Sequence, residues 1–330
     1  MKSFNVALVG CGTISYNHLT ALSSMPNVNV IALCDIKSKR AEARKNEFNL
    51  ESKIYTDYSE MLECEKLDAV HIATPHYLHA PMAIAALKKD IYVCLEKPMC
   101  INREEIKQLL DAEKESKASV TVSFQTRYNK ANMIAKKIAE EDGIISAYCS
   151  LFWERTNEYY TESGWRGAYA TEGGGVMINQ AIHSIDHLIG LLGKPIALYA
   201  TKSNHKHKGI IEVEDTCEGM VEFENGLVGN FFATNAFKGT SRTSIFIKTT
   251  NHMLEIRNSK LYIDDKLVED TEGASYLGKE VYGEGHLTLI RKFYEAIESG
   301  DEMPITLESA QWALRLLLAA YESNDERTLI

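Results

Sequence analysis

Proline is scarce in this 330-residue chain, with only six, and the twenty glycines follow no short repeat. Together these exclude a collagen-like or proline-rich low-complexity protein. Positive charge is in deficit, 36 Lys and Arg against 46 Asp and Glu for a net −10. A general binder of nucleic-acid backbones needs clustered cations, so nucleic acid is not an expected partner. No apolar run approaches the ~18 residues of a membrane span, so no membrane association is expected. The opening Met1-Lys2-Ser3-Phe4-Asn5 carries no apolar signal core or small-residue cleavage site. Seven cysteines (11, 34, 64, 94, 100, 149 and 217) are odd in number, and none forms a C-x-x-C pair. Those inside apolar runs, such as Cys34 and Cys94, read as small packed hydrophobes, not a disulfide framework. A cytoplasmic location is expected.

Apolar residues make up 45% of the chain and charged residues 25%, the balance of a globular protein. At roughly 150 residues per domain, the length predicts two. The patterning divides them into residues 1–122 and 123–330.

In the first part, short apolar runs alternate with helical patterns. Strands are predicted over Val6–Val9, Val28–Cys34, Ala69–Ala73, Ile91–Leu95 and Val120–Phe124. Helices are predicted from Ile14, over Lys39–Phe48, from about His79 to Lys88, and over Asn102–Ser116. Such alternation predicts an α/β domain with a parallel, right-handedly wound sheet. The first strand ends in Gly10-Cys11-Gly12-Thr13-Ile14-Ser15 and leads directly into a helix. Gly10 permits the tight turn, Gly12 lets the backbone approach a pyrophosphate, and the helix N-terminus offers unpaired N–H groups. An acid, Asp35, closes the second strand, where it can accept hydrogen bonds from an adenosine ribose. Its charge favours NAD over NADP, while nearby Lys37, Lys39 and Arg40 keep NADP as a possible cofactor.

Glu96-Lys97-Pro98 follows the strand Ile91–Leu95. Ligands of open α/β sheets bind at the carboxyl ends of strands, which makes Lys97 a candidate to hold a substrate oxygen or transfer a proton. Glu96 is its candidate ion partner, and Pro98 fixes the turn, with a cis bond as one option.

The second part changes character. After a helix over Asn129–Glu140, strands dominate: Ile145–Phe152, Ile196–Thr201, Thr216–Glu224, Leu227–Thr234, Thr243–Thr249, Met253–Arg257 and Lys260–Ile263. Asn225-Gly226 is a hairpin signal. Helices over Gly285–Ser299 and Leu307–Glu322 close an α+β domain with a mostly antiparallel sheet. Gly173-Gly174-Gly175 precedes a predicted helix to Leu192 on which Asn179, His183 and Asp186 fall at i, i+4 and i+7, one polar stripe among Ile178, Ile182 and Ile185. His183 has the intrinsic pKa of a general base, with Asn179 or Asp186 to orient it or hold substrate. Upstream, Trp153, Arg155, Tyr159, Tyr160, Trp165 and Arg166 offer aromatic faces for sugar rings and guanidinium forks for oxygens. Asn204-His205-Lys206-His207-Lys208 has no acid or cysteine cluster beside it and is expected to be a solvated loop, so no metal site is predicted.

Taken in order, Gly10-Cys11-Gly12 with Asp35, Thr74-Pro75 through His79, Glu96-Lys97-Pro98, Trp165-Arg166, and the triple glycine through His183 and Asp186 resemble the Gfo/Idh/MocA oxidoreductase family. The resemblance implies a Rossmann domain joined to an α+β domain with a large open sheet that builds homodimers or homotetramers. It implies hydride transfer, with NAD or NADP, at a hydroxyl or carbonyl of a sugar, inositol, sugar acid or nucleotide-sugar. Lys97 and His183 match the family's catalytic pair. Gly10, Gly12, Thr13, Ile14, Asp35, Thr74, Pro75, His79, Glu96, Lys97, Trp165 and Arg166 fall at cofactor-binding positions. The substrate set is Lys97, Arg155, Tyr160, Asn179, His183 and Asp186. Asn179 replaces an aspartate common in inositol dehydrogenases, and His76 an asparagine common after Thr-Pro. Because an amide cannot relay a proton, acid–base work falls to His183 and Lys97. A redox-neutral NAD-dependent glycosidase and a non-catalytic dinucleotide sensor are the alternative readings.

Overall fold

A computed structural model describes residues 2–270 and 284–330. They form two compact units, one of residues 2–100, 104–125 and 285–310, the other of residues 101–103, 126–270, 284 and 311–330.

The first unit is built on six parallel strands: β1 (Phe4–Val9), β2 (Val28–Cys34), β3 (Lys53–Tyr55), β4 (Ala69–Ile72), β5 (Tyr92–Leu95) and β6 (Val120–Val122), in the order β3-β2-β1-β4-β5-β6. This is the doubly wound dinucleotide-binding topology, with its switch point between β1 and β4. Strand β1 is buried along almost its full length, which is why its sequence is a continuous apolar run without alternation. The three-residue edge strand β3 was not predicted; it is too short to show a period. The helix Gly285–Ser299 was expected in the second domain but belongs to the first unit, where Ile290, Phe293 and Tyr294 pack with Phe4, Leu19 and Leu22. Its apolar stripe matches the exposed flank of the helix Ser15–Ser23, a pairing no local pattern announces.

The second unit holds a nine-stranded sheet. Its strands are β7 (Ile144–Phe152), β8 (Pro195–Ser203), β9 (Thr216–Phe223), β10 (Val228–Thr234), β11 (Arg242–Thr249), β12 (Met253–Arg257), β13 (Lys260–Ile263), β14 (Lys266–Asp270) and β15 (Thr328–Leu329). All neighbours pair antiparallel except β7 with β10. Asn225-Gly226 turns β9 into β10 as expected, with Gly226 at φ +83°. The helix Ile182–Leu192 covers one face of the sheet, laying Ile185, Leu188 and Leu192 against β7 and β10. No helix among the described residues is long and apolar enough to cross a membrane. All seven cysteines are free thiols; six are buried and Cys64 is exposed.

Candidate functional site

In the first unit, Gly10 sits at φ +88°, and a Cβ there would overlap the carbonyl of Ala73 at the end of β4, so only glycine fits. At Gly12 an added Cβ would meet no protein atom within 4 Å. The chain makes no packing demand for glycine there; the bare backbone is what a pyrophosphate lying against the loop requires. Thr13 and Ile14 lead into the helix Ser15–Ser23. Asp35, 7% exposed, accepts the N–H of Cys11 on one carboxylate oxygen (2.9 Å) and that of Lys37 on the other (2.8 Å). It braces the loop, and each oxygen keeps a lone pair for a ribose hydroxyl. Arg44, which sequence reading did not single out, donates to Gly12 O (3.0 Å) and Ser15 Oγ (2.9 Å). These features fit an adenine dinucleotide.

Thr74 and Pro75 follow β4, half-buried. His79, expected beside the cofactor, is fully engaged within the chain. Its ring nitrogens lie 2.9 Å from Thr74 O and 2.6 Å from Pro98 O, tying together the loops after β4 and β5. His76 is buried in the same turn. Lys97 is half-buried directly after β5, and the Lys97–Pro98 bond is cis.

Glu96 turns the other way, into the interior. Its Oε1 lies 3.0 Å from His18 Nε2 and 3.5 Å from His286 Nε2, while Oε2 accepts the N–H of Lys97 at 3.3 Å. Behind it, His18 Nδ1 is 2.8 Å from His71 Nδ1, and His71 Nε2 is 2.8 Å from the Tyr294 hydroxyl. One proton assignment satisfies the chain with neutral rings: Tyr294 donates to His71, His71 to His18, and His18 to the Glu96 carboxylate. Burial opposes the charge on Glu96, but hydrogen bonds from His18 and His286 outweigh it and hold the carboxyl well below its usual range. Glu96, expected as an ion partner of Lys97, is engaged by His18 and His286 and anchors the Lys97 backbone. His18, Glu96 and His286 also bring three ligand-type atoms within 4.8 Å of one another, a grouping that sequence spacing could not reveal.

In the second unit, the predicted helix after the triple glycine is not continuous. Met177–Ala181 is a π-helical turn that passes into the α-helix at Ile182. The inserted residue breaks the expected stripe. Asn179 and His183 remain half-buried, but Asp186, 1% exposed, is turned to Arg127, which donates to both carboxylate oxygens at 2.7 and 2.5 Å. Asp186 therefore belongs to a structural ion pair and not to a substrate set. The glycines likewise serve the fold. A Cβ at Gly175 would collide with the Glu214 backbone, and the buried Glu214 carboxylate takes the N–H groups of Gly175 (2.8 Å) and Met177 (3.0 Å). Burial raises the Glu214 carboxyl to about 7.

His183 Nδ1 lies 3.4 Å from Thr126 Oγ1, which lies 3.0 Å from His187 Nε2. Asn132 Nδ2 donates to that same His187 nitrogen at 3.0 Å and to Thr126 O at 2.7 Å. His187 Nε2 is therefore an acceptor, and burial lowers its pKa to about 4, keeping the ring neutral. The Thr126 hydroxyl then donates to His187 and accepts from His183 Nδ1–H. This leaves the lone pair of His183 on Nε2, the tautomer of a general base. Glu172, buried, fixes Asn179 by accepting from its amide and also accepts the N–H of Gly167 at 2.6 Å. Neither Thr126 nor Glu172 carries a sequence signal, because their roles depend on contacts across the unit. Tyr160, expected to touch substrate, packs with Ile211 and Val213, and its hydroxyl accepts from Asn235 at 2.6 Å. Its neighbour Tyr159 takes the place near Asn179, whose amide lies 3.4 Å from the Tyr159 hydroxyl. Arg155, Trp165 and Arg166 are half-buried around Tyr159.

A doubly wound sheet with a glycine loop after its first strand and an acid at the end of its second defines a protein of the dinucleotide-binding class. Residues 4–124 match the oxidoreductase family with an NAD-binding Rossmann fold, and residues 143–255 match the GFO/IDH/MocA C-terminal domain. The chain belongs to the Gfo/Idh/MocA oxidoreductase family. It is 32% identical to the inositol 2-dehydrogenase of Salmonella typhimurium over 144 residues, a match spanning 43% of each protein. It is 28% identical to the levoglucosan dehydrogenase of Pseudarthrobacter phenanthrenivorans over 280 residues, covering 74% of this chain and 71% of that enzyme. Among solved structures, the WlbA dehydrogenase of Chromobacterium violaceum in complex with NADH and UDP-GlcNAcA is 26% identical, covering 100% of this chain and 96% of that one, at a TM-score of 0.87.

Proposed function

We propose that this protein is an NAD-dependent oxidoreductase that moves a hydride between the cofactor and a hydroxyl or carbonyl of a sugar, inositol, sugar acid or nucleotide-sugar. The observation that carries this reading is the Thr126-held tautomer of His183, in a family chain that keeps Lys97 at a strand end. Relatives named as inositol, levoglucosan and nucleotide-sugar dehydrogenases support it. When bound, the nicotinamide supplies the hydride acceptor. Gly10, Gly12, Thr13, Ile14, Asp35, Thr74 and Pro75 would hold the dinucleotide. Asp35 favours NAD by repelling a 2′-phosphate, with NADP the second candidate. His183 Nε2 takes the hydroxyl proton as the C–H bond breaks, and the Lys97 ammonium steadies the developing alkoxide. The same groups serve the reverse direction with proton roles exchanged.

We further propose a cytoplasmic homodimer or homotetramer built through the second sheet. Support comes from the large apolar residues Ile145, Tyr148, Ile196, Tyr199 and Met253 exposed on its strands, and from the buried free thiols. Light scattering of the purified protein gives the mass directly; a monomer would dismiss the assembly.

The test of activity is the absorbance of reduced nicotinamide with NAD or NADP across inositols, aldoses, sugar acids and UDP-sugars. Reduced cofactor appearing with one class is the expected result. Release of free sugar from a glycoside without net reduction would instead identify a redox-neutral glycosidase, and cofactor binding with no turnover a sensor. Lys97→Ala should lower kcat by ~10²–10⁴-fold; near-normal turnover would remove Lys97 from the chemistry.

A further inference from the structure

Behind Lys97, buried side chains of the first unit close a ring. Tyr294 and His286 both stand on the helix Gly285–Ser299. The Tyr294 hydroxyl lies 2.8 Å from Nε2 of His71 on β4, and His71 Nδ1 lies 2.8 Å from Nδ1 of His18, on the helix that follows the glycine loop. His18 Nε2 reaches Glu96 Oε1 at 3.0 Å, and His286 Nε2 returns to the same oxygen at 3.5 Å. Asn17 Nδ2 donates to His286 Nδ1 at 3.4 Å, which leaves the His286 proton on Nε2, facing Glu96.

The ring delivers donors to its centre, so the group there must accept on both sides. Glu96 Oε1 takes the two imidazoles, and Oε2 takes the N–H of Lys97 at 3.3 Å. A glutamine would turn its NH2 toward one of these donors. The position therefore requires a carboxylate, and its ionised form survives burial because His18 and His286 donate to it. Burial, and then Glu96 itself, holds the thiol of Cys94 protonated two residues before it. Burial lowers the pKa of His71, His79 and His286; on the last two, Glu96 opposes that effect and the Lys97 charge adds to it. The lysine and the carboxylate thus act on the same two imidazoles.

We infer that His18, His71, His286 and Tyr294 are positioning residues for Lys97: through Glu96 they fix the lysine's backbone against the dinucleotide-binding helix and set a buried negative charge beside its ammonium. The inference rests on the hydride-transfer reading, in which that ammonium steadies the alkoxide, and carries it to side chains that act only through Glu96. A displacement of about 1 Å in a catalytic group costs up to about 10²-fold in rate, so a brace of the lysine's backbone has a kinetic signature. The helix Gly285–Ser299, from the far end of the sequence, becomes a working part of the site.

The experiment uses the full-length protein with NAD and myo-inositol, D-glucose, D-glucuronate or UDP-D-glucose, following reduced nicotinamide across pH. Replacing histidine by glutamine keeps an amide near Nε2, and replacing it by asparagine keeps one near Nδ1. His18→Asn and His286→Asn, which lose the donor to Glu96, should each lower kcat by about 10- to 100-fold with KM for NAD little changed. His18→Gln and His286→Gln should recover most of that loss. Glu96→Gln removes the charge, so the alkaline limb of the rate–pH profile should move down by about one pH unit. The acid limb, set by His183, should stay where it is. Acetylation of Lys97 by acetic anhydride at each pH, read by mass spectrometry, reports the lysine's proton affinity without turnover and should show the same shift.

Asparagine and glutamine variants that lose unfolding midpoint alike, with kcat and the pH profile unmoved, would make the ring a structural brace only. That result overturns the inference and leaves the dehydrogenase reading intact. A Lys97 labelling midpoint that stays put in Glu96→Gln would overturn the role of the charge. A shifted midpoint with no sugar reducing NAD would sustain the ring and defeat the hydride-transfer reading. Tyr294→Phe removes one hydroxyl and no carbon from the far end of the ring, so it serves where a polar variant fails to fold. A kcat lowered by about 3-fold or more in that variant sustains the ring, and an unchanged kcat overturns it.

Discussion

Thr126 Oγ1 stands 3.4 Å from His183 Nδ1 and 3.0 Å from His187 Nε2, and through this bridge the hydroxyl sets the tautomer of His183. Thr126→Val keeps the shape and removes the hydroxyl. It should lower kcat/KM by about 10- to 100-fold, the value of one lost hydrogen bond at a buried site, mainly through kcat. The rate–pH profile should shift with it, since His183 loses the group that fixes its proton on Nδ1. An unchanged profile would separate Thr126 from the chemistry.

Asp35 serves both the glycine loop and, on this reading, the cofactor ribose. Asp35→Ala should raise KM for NAD and relax discrimination against NADP. Because Cys11 and Lys37 lose their acceptor, a modest fall in stability accompanies it. A changed stability with an unchanged NAD to NADP ratio would confine Asp35 to bracing the loop.

Asp186→Asn leaves Arg127, 29% exposed, without its charge partner. Breaking such a pair from one side should cost about 2–4 kcal/mol, somewhat below the fully buried case because water reaches Arg127. Urea titration measures the loss directly. A substrate role for Asp186 would instead appear as a raised sugar KM at unchanged stability.

His187 and Glu214 pull stability in opposite directions below neutrality. His187 is held near 4 when folded and has its ordinary value near 6.5 when unfolded, so the unfolded chain binds the extra proton between those limits. Stability is therefore lost as pH falls from about 6.5 to about 4, by up to about 3 kcal/mol from this residue. His71, His79 and His286, also pushed down by burial, act in the same direction. Glu214 works oppositely: its folded value near 7 means the folded state retains a proton that the unfolded chain releases. That contribution is complete below about 4.5 and is lost as pH rises from there through about 7, so over most of that window it opposes His187. Urea midpoints at several pH values should trace the balance of these opposed contributions between about pH 4 and 7, and His187→Gln should reduce the loss of stability on the acid side.

The features readable from sequence were those encoded locally. The buried strands of the first sheet, the Asn225-Gly226 hairpin and the Gly10–Asp35 spacing each depend on a few adjacent residues or one regular period. What escaped depended on distant partners. The π turn at Met177–Ala181 leaves no mark on hydrophobic periodicity, so Asp186 was assigned to the wrong face. Tyr159 and Tyr160 are indistinguishable until Ile211 and Val213 claim one of them. Glu96 read as an ion partner of Lys97, because nothing near it in sequence announces His18 and His286 behind it.

The place of Gly285–Ser299 in the first unit has a consequence for synthesis. The apolar flank formed by Phe4, Leu19 and Leu22 is made first, yet its cover, Ile290, Phe293 and Tyr294, emerges from the ribosome near the end. At ~5–20 residues per second, that flank waits on the order of tens of seconds for its partner. Folding of the nucleotide-binding unit therefore cannot proceed strictly from the N-terminus: the long sheet encoded in between is already made when the first core closes.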